Sequence, residues 1–191
     1  VRDLEQAHFA MAFEGPGYRD EAFYVAQVLA TALGGGMSSR LFQKLREEKG
    51  LCYSIFAQSG FHDDTGMVTI YAGTSGEQIA DLANLTVDEL KRSAEDMTEA
   101  EVARARAQLK AGLLMGLESP TGQAERMARS LAIWGRVPDP AEVAERIDAV
   151  TVADIRAHAE HLIAHARPAL ALYGPVAGAP SREVLAERLA A

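Results

Sequence analysis

Strand-like and helix-like segments of this 191-residue chain are partly segregated rather than alternating. One strand pattern opens the chain, two helices follow it, a β-hairpin comes next, and a run of helices leads to a single final strand. A parallel sheet needs a crossover, usually a helix, between successive strands, so this order disfavours one. The sequence therefore predicts a single α+β domain, residues 1–191, with a mainly antiparallel sheet that helices cover on one face.

Apolar periodicity and turn residues set the boundaries of these segments. The predicted strands are 6–13, 52–61, 67–73 and 169–173. The predicted helices are 20–33, 38–48, 77–95, 98–117, 120–135, 140–150, 151–166 and 181–189. Several starts carry capping signals, because Thr98-x-x-Glu101 is a capping-box pattern and Ser119 and Asp139 each precede a proline. Thr151-x-x-Asp154 opens a further helix. Ser38 or Ser39 is expected to cap the second helix.

Composition and charge exclude several classes of protein. The chain is 24% charged and 48% hydrophobic, which is typical of a globular domain. No apolar run approaches the ~20 residues that span a bilayer, so we expect a soluble, cytoplasmic protein without a membrane partner. The preference for Arg over Lys and the many Ala residues indicate a GC-rich bacterial genome. The formal net charge of -8, without clustered Lys or Arg, disfavours nucleic acid as a partner. The chain starts at Val1 directly in a strand pattern, which indicates a piece of a longer protein.

The glycine-rich segment Gly34-Gly35-Gly36 precedes the second predicted helix. A glycine-rich turn that opens a helix binds phosphate in some proteins through its exposed backbone N–H groups. Here the turn follows a helix and ends in Ser-Ser-Arg, whereas a nucleotide P-loop follows a strand and ends in Gly-Lys-Ser/Thr. Two interpretations therefore stay open: a helix-to-helix turn, or a backbone-accessible loop beside a ligand or peptide.

Three histidines, His158, His161 and His165, share the spacing of one helix face. Such spacing is able to ligate zinc, but residues 158–161 are one residue too short for the zinc-protease motif H-x-x-E-H. We interpret the cluster as a solvated helix face and predict no metal site. The single cysteine, Cys52, excludes a disulfide framework and is interpreted as a small core residue.

Arg46 and Tyr53 lie on either side of Gly50, at the end of a predicted helix and the start of a predicted strand. This short connection is expected to bring the guanidinium and the phenol to one edge of the sheet. Both are strong hydrogen-bond donors, suited to a peptide carbonyl or a developing oxyanion. The residues alone also allow Arg46 to pair with Glu47 or Glu48, and Tyr53 to belong to the core.

The stretch 33–54, LGGGMSSRLFQKLREEKGLCYS, closely resembles the C-terminal domain of the pitrilysin/insulinase zinc metallopeptidases, in their mitochondrial-processing-peptidase-like branch. The opening Leu4-Glu5-Gln6-Ala7-His8 fits the start of that domain. Gly73-Thr74 after the hairpin and the helix that opens with Thr98-x-x-Glu101 fit it as well. The resemblance therefore covers nearly the whole chain.

The resemblance implies a clamshell of two related α+β halves that enclose a chamber. In such enzymes the N-terminal half carries H-x-x-E-H and the zinc, whose bound water attacks the peptide. An Arg and a Tyr seven residues apart reach across from the C-terminal half to hold substrate carbonyls and stabilise the tetrahedral intermediate. Arg46 and Tyr53 match this spacing and are predicted to be supporting catalytic residues. Gly34, Gly35 and Gly36 would lie near the chamber as substrate-binding residues.

The sequence contains no H-x-x-E-H motif, so this chain by itself is predicted to be inert. The prediction is a substrate-binding half of a zinc endopeptidase, with zinc in the other half. Its expected partners are a peptide substrate and the zinc-bearing half, in the same chain or in a partner subunit, and self-association stays open. The alternative is a non-catalytic core or assembly subunit, because processing-peptidase relatives also serve as core subunits of a respiratory complex.

Overall fold

A four-stranded sheet forms the centre of the computed structural model, which describes residues 4–165 and 167–191. The strands are β1 (Ala7–Gly15), β2 (Ser54–Phe61), β3 (Gly66–Thr74) and β4 (Ala169–Tyr173). Their order in the sheet is β2-β3-β1-β4, and all three neighbouring pairs are antiparallel. The predicted α+β class with a mainly antiparallel sheet is confirmed.

Helices occupy most of the remaining described residues. They are α1 (Phe23–Gly34), a π-helix (Phe42–Glu48), α2 (Ile79–Asp96), α3 (Glu99–Gly116), α4 (Pro120–Trp134), α5 (Pro140–Asp148), α6 (Val152–Ala164) and α7 (Arg182–Ala190). The side chains of Thr98, Ser119, Asp139 and Thr151 cap α3 to α6, as their sequence patterns predicted. The predicted end of α6 at Ala166 lies outside the described residues.

The helices pack on one face of the sheet because β1 alternates in the two-residue period of a half-covered strand. Phe9, Met11 and Phe13 are buried and belong to the main core, which the helices complete. The opposite face carries His8 and Tyr71, whose ring nitrogen Nδ1 and hydroxyl lie 2.8 Å apart. The sheet therefore has one face in the core and one face free of helices.

The helix predicted over 38–48 differs from the structure. Helical backbone begins at Arg40, runs as a π-helix from Phe42 to Glu48 and starts without a side-chain cap. The capping prediction was wrong because the preceding turn is closed by backbone groups: Ser39 N donates to Gly36 O at 3.0 Å, and Ser39 O accepts from Gln43 N at 3.0 Å. The Ser39 hydroxyl is buried and has no partner in the described part of the chain.

Candidate functional site

Arg46 and Tyr53 lie against each other at the end of the sheet. The guanidinium carbon of Arg46 is 5.4 Å from the centroid of the Tyr53 ring and 4.5 Å from the centroid of the Phe42 ring. Both distances are within the range of a cation–π interaction. The structure therefore brings the guanidinium and the phenol together, as the short connection between them led us to expect.

The π-helix and a glycine reversal create this arrangement. Phe42 and Arg46 are four residues apart in the π-helix, so the buried Phe42 ring supports the guanidinium from below. Gly50 has a φ of 62°, a left-handed conformation that ends the helix and turns the chain back. The backbone N–H of Tyr53 then donates to Gly73 O at 3.1 Å, which attaches Tyr53 to the sheet. Short π-helical segments occur frequently at functional sites.

Both donors of this pair are accessible to solvent. The Arg46 side chain is 37% exposed, and Tyr53 is 77% exposed. In the described part of the chain, the one carboxylate close to the Arg46 guanidinium is that of Glu47, whose Oε1 is 3.9 Å from Nε. Glu48 instead accepts a hydrogen bond from Lys44 Nζ at 2.7 Å. Of the alternatives for these two residues, a long ion pair of Arg46 with Glu47 is observed, whereas pairing of Arg46 with Glu48 and a core position for Tyr53 are not.

A shallow cleft of about 310 Å³ adjoins Tyr53 between the start of β1 and the end of β3. Its lining includes Glu5, Gln6, Gly50, Tyr53, Thr74 and Gln78. The thiol of Cys52 borders this cleft, but the residue is 9% exposed and belongs to the main core. Burial raises the pKa of the Cys52 thiol more than the Arg46 charge lowers it. Cys52 is thus a core side chain with little thiolate character, as the sequence predicted.

Gly34 allows the end of α1 to approach β2 closely. A Cβ atom at residue 34 would lie 2.2 Å from the backbone nitrogen of Ala57 and 2.7 Å from its Cβ. Gly36 is different, since a Cβ there would lie 3.4 Å from the Gln108 side-chain amide, which also donates to Gly35 O at 2.5 Å. The structure gives Gly34 a packing role, and substrate binding by Gly34, Gly35 and Gly36 stays a prediction.

Replacing Gly34 by Ala is expected to destabilise the domain by about 1–3 kcal/mol, because the added methyl group meets a backbone that cannot move aside. Urea unfolding of the two variants Gly34→Ala and Gly36→Ala measures the difference. Gly36→Ala is the matched control and should stay close to the wild type, since the flexible Gln108 side chain is able to shift. Equal stability of both variants would contradict the packing role of Gly34.

A buried ion-pair cluster was not predicted from the sequence. Arg40 Nε and Nη2 donate to the two carboxylate oxygens of Glu101 at 2.8 and 2.9 Å, and Nη1 donates to Asp96. Glu101 also accepts from the backbone N–H and the hydroxyl of Thr98, at 2.9 and 2.7 Å. The cluster fastens the turn after α1 to the corner between α2 and α3. The capping box signalled only the local part of it, because nothing in the sequence connects residue 40 with residue 101.

The three histidines lie on α6 and its end, beside a cavity of about 320 Å³. His161 and His165 are exposed, with Nδ1 of His165 3.1 Å from His161 O. His158 is only partly exposed, and its Nε2 is buried without a partner in the described residues, so the solvated-face interpretation holds for two of the three. Burial lowers the pKa of His158, and His161 lowers it further, against the opposing charge of Asp20.

A protein metal site needs several His, Cys, Asp or Glu side chains close together. Within residues 4–165 and 167–191, no group of three or more His, Cys, Asp or Glu side chains is placed to hold a metal ion. Nor is any helix in these ranges long and apolar enough to cross a membrane.

Comparison with known proteins identifies the family of this chain. Residues 1–109 match the family model described as the peptidase M16 inactive domain, and the chain belongs to this family of zinc proteases. An uncharacterized zinc protease of Mycobacterium tuberculosis is 38% identical over 91% of the chain and 40% of its own length. The uncharacterized zinc protease YmxG of Bacillus subtilis is 34% identical over 94% of the chain and 44% of its own length.

The chain thus spans roughly two fifths of the length of the curated relatives it matches. Among solved structures, a chain of complex III2 from Candida albicans with Inz-5 bound has the same fold, with a TM-score of 0.89 and 23% identity. The match covers 98% of this chain and 48% of that one. The relatives contain a further stretch of chain outside the matched region.

Proposed function

We propose that this chain is the substrate-binding half of a zinc-dependent endopeptidase and is inert without the zinc-bearing half. The observation that carries the proposal is the solvent-exposed pair Arg46 and Tyr53, held together by the π-helix and the Gly50 reversal. Cation–π contacts of Arg46 with Phe42 and Tyr53 leave the guanidinium N–H groups free to donate in the plane of the group. Two such donors on one edge suit a polarised peptide carbonyl.

The two donors support a division of work between the halves. Zinc bound in the other half would supply an activated water for attack on the carbonyl. In this chain, the Arg46 guanidinium holds a backbone carbonyl of the peptide, which orients the scissile bond. The Tyr53 hydroxyl donates a hydrogen bond to the oxygen on which negative charge develops in the transition state. Arg46 thus acts on binding, and Tyr53 acts on the chemical step.

Replacing Arg46 by Ala is expected to raise KM for a peptide about 10- to 100-fold, because a hydrogen bond from a charged donor is lost. The measurement uses the protein that carries both halves and an internally quenched peptide that the wild-type protein cleaves. Arg46→Lys should recover only part of the loss, since an ammonium group cannot reproduce the planar fork.

Lys44→Ala is the matched control for this experiment, because Lys44 lies on the same π-helix and pairs with Glu48 rather than facing Tyr53. It should leave KM unchanged. If Arg46→Ala also leaves KM unchanged while the peptide is cleaved, the substrate-binding role is wrong. If the wild-type two-half protein binds zinc but cleaves none of a broad peptide library, the assembly-subunit alternative is favoured.

A further inference from the structure

Helix α4 exposes two large apolar side chains to solvent. Met127 is 46% exposed and Leu131 is 52% exposed, whereas the buried residues of this helix are Ser130 and Ile133. At 3.6 residues per turn, about 160° separates Leu131 from Ile133 around the helix axis. In a surface helix, apolar side chains usually face the core and polar ones face solvent, so Leu131 occupies an unusual position.

Two large apolar side chains near the end of α3 are exposed as well. Leu114 is 61% exposed and Met115 is 70% exposed, while the buried residues of α3 are Val102 and Ala105. About 180° separates Leu114 from Ala105 around the axis. We call the four exposed side chains Leu114, Met115, Met127 and Leu131 the outer face.

Contacts near the end of α4 hold it on the domain. Arg19 Nε donates to Ile133 O at 2.9 Å, and the Trp134 ring lies 6.1 Å from the rings of Tyr18 and Phe23. These contacts fix the side of the helix that faces the domain. The outer face is therefore turned away by anchored packing, and its side chains are in position to meet another surface.

We propose that the outer face is the surface on which the zinc-bearing half of the protein docks. This inference rests on the proposed function, since it requires a second half. The curated relatives extend well beyond the matched region, with about 40% of each covered, so each contains enough further chain for a second domain of this size. Apolar side chains on two consecutive helices suit a large, permanent interface between two halves, which resembles a divided core.

Thiol protection in the protein that carries both halves tests this assignment. Met127→Cys and Leu131→Cys are expected to react with a maleimide at least 10-fold more slowly than Val184→Cys. Val184 is the matched control, because it is 50% exposed and lies on α7, outside the outer face. The protein without an added cysteine supplies the background. Equal rates at residues 127, 131 and 184 would overturn the proposal.

Photo-crosslinking identifies the occupant in the same protein. Benzoylphenylalanine at position 131 is expected to capture a peptide of the zinc-bearing half, as read by mass spectrometry. Capture of a second copy of this chain, or no capture above that at position 184, would overturn the proposal. Neither measurement reads peptidase activity, so a failed docking surface is distinguishable from a failed substrate site, which the Arg46 variants test.

Discussion

Replacing Tyr53 by Phe is expected to lower kcat about 100- to 1000-fold in the protein that carries both halves, the range for loss of one oxyanion donor. Phe retains the ring that lies 5.4 Å from the Arg46 guanidinium carbon, so the stacking contact is kept and only the hydroxyl is removed. An interaction made only in the transition state lowers kcat and kcat/KM together. KM for the peptide should therefore change little.

The outcome separates a catalytic hydroxyl from a structural one. Tyr24→Phe is the matched control, because Tyr24 is a partly buried residue of α1 whose phenol pKa is raised mainly by burial. It should leave kcat unchanged. If the Tyr53→Phe protein keeps the wild-type kcat, the oxyanion role of the hydroxyl is wrong. If its KM is raised at the same time, the hydroxyl acts in substrate binding instead.

Replacing Arg40 by Ala is expected to destabilise the domain by about 3–5 kcal/mol, the usual cost of removing one member of a buried ion pair. The Arg40 side chain is only 10% exposed, and its loss leaves the Glu101 carboxylate, 16% exposed, without its cation. Urea unfolding measures the loss. Arg136→Ala serves as the control, because Arg136 is 55% exposed and its pair with Glu142 lies in solvent, where ion pairs contribute little to stability. Similar losses in both variants would contradict a special role for Arg40.

The same cluster gives the stability a pH dependence with a definite sign. Burial acts to raise the pKa of Glu101, but hydrogen bonds from Arg40 and Thr98 outweigh burial and leave the pKa below its usual value. The pKa of Asp96 is lowered in the same way by Arg40 and Arg92. A lowered folded-state pKa contributes stability above the unfolded value, near 4, and this stability is lost as the pH falls through the folded value. The Arg40→Ala protein should show a weaker loss on acidification.

Local signals in the sequence predicted most of the fold. The short apolar run 6–13, followed by Gly15 and Pro16, predicted the first strand. The structure adds that Phe9, Met11 and Phe13 alternate to the buried face. Thr98 and Thr151 marked helix starts, because a capping box needs only residues three apart. Each of these features is decided by neighbours in the chain.

Local sequence patterns did not predict contacts between residues that are far apart in the chain. The pairing of Arg40 with Glu101 joins residues 61 positions apart, and no local pattern encodes it. The capping role predicted for Ser38 or Ser39 failed for a different reason, since backbone hydrogen bonds of Ser39 with Gly36 and Gln43 close that turn. The juxtaposition of Arg46 and Tyr53 was within reach of sequence reasoning because a single glycine reversal separates them.

The sheet order has a consequence for the synthesis of the chain. β1 begins at Ala7 and β4 begins at Ala169, yet the two strands are neighbours in the sheet. At 5–20 residues per second, a ribosome needs roughly 8–30 s to deliver β4 after β1. Throughout that interval the edge of β1 that β4 will cover has unpaired N–H and C=O groups, a template for wrong pairing. The nascent chain is thus open to wrong pairing along this edge of β1 until β4 emerges.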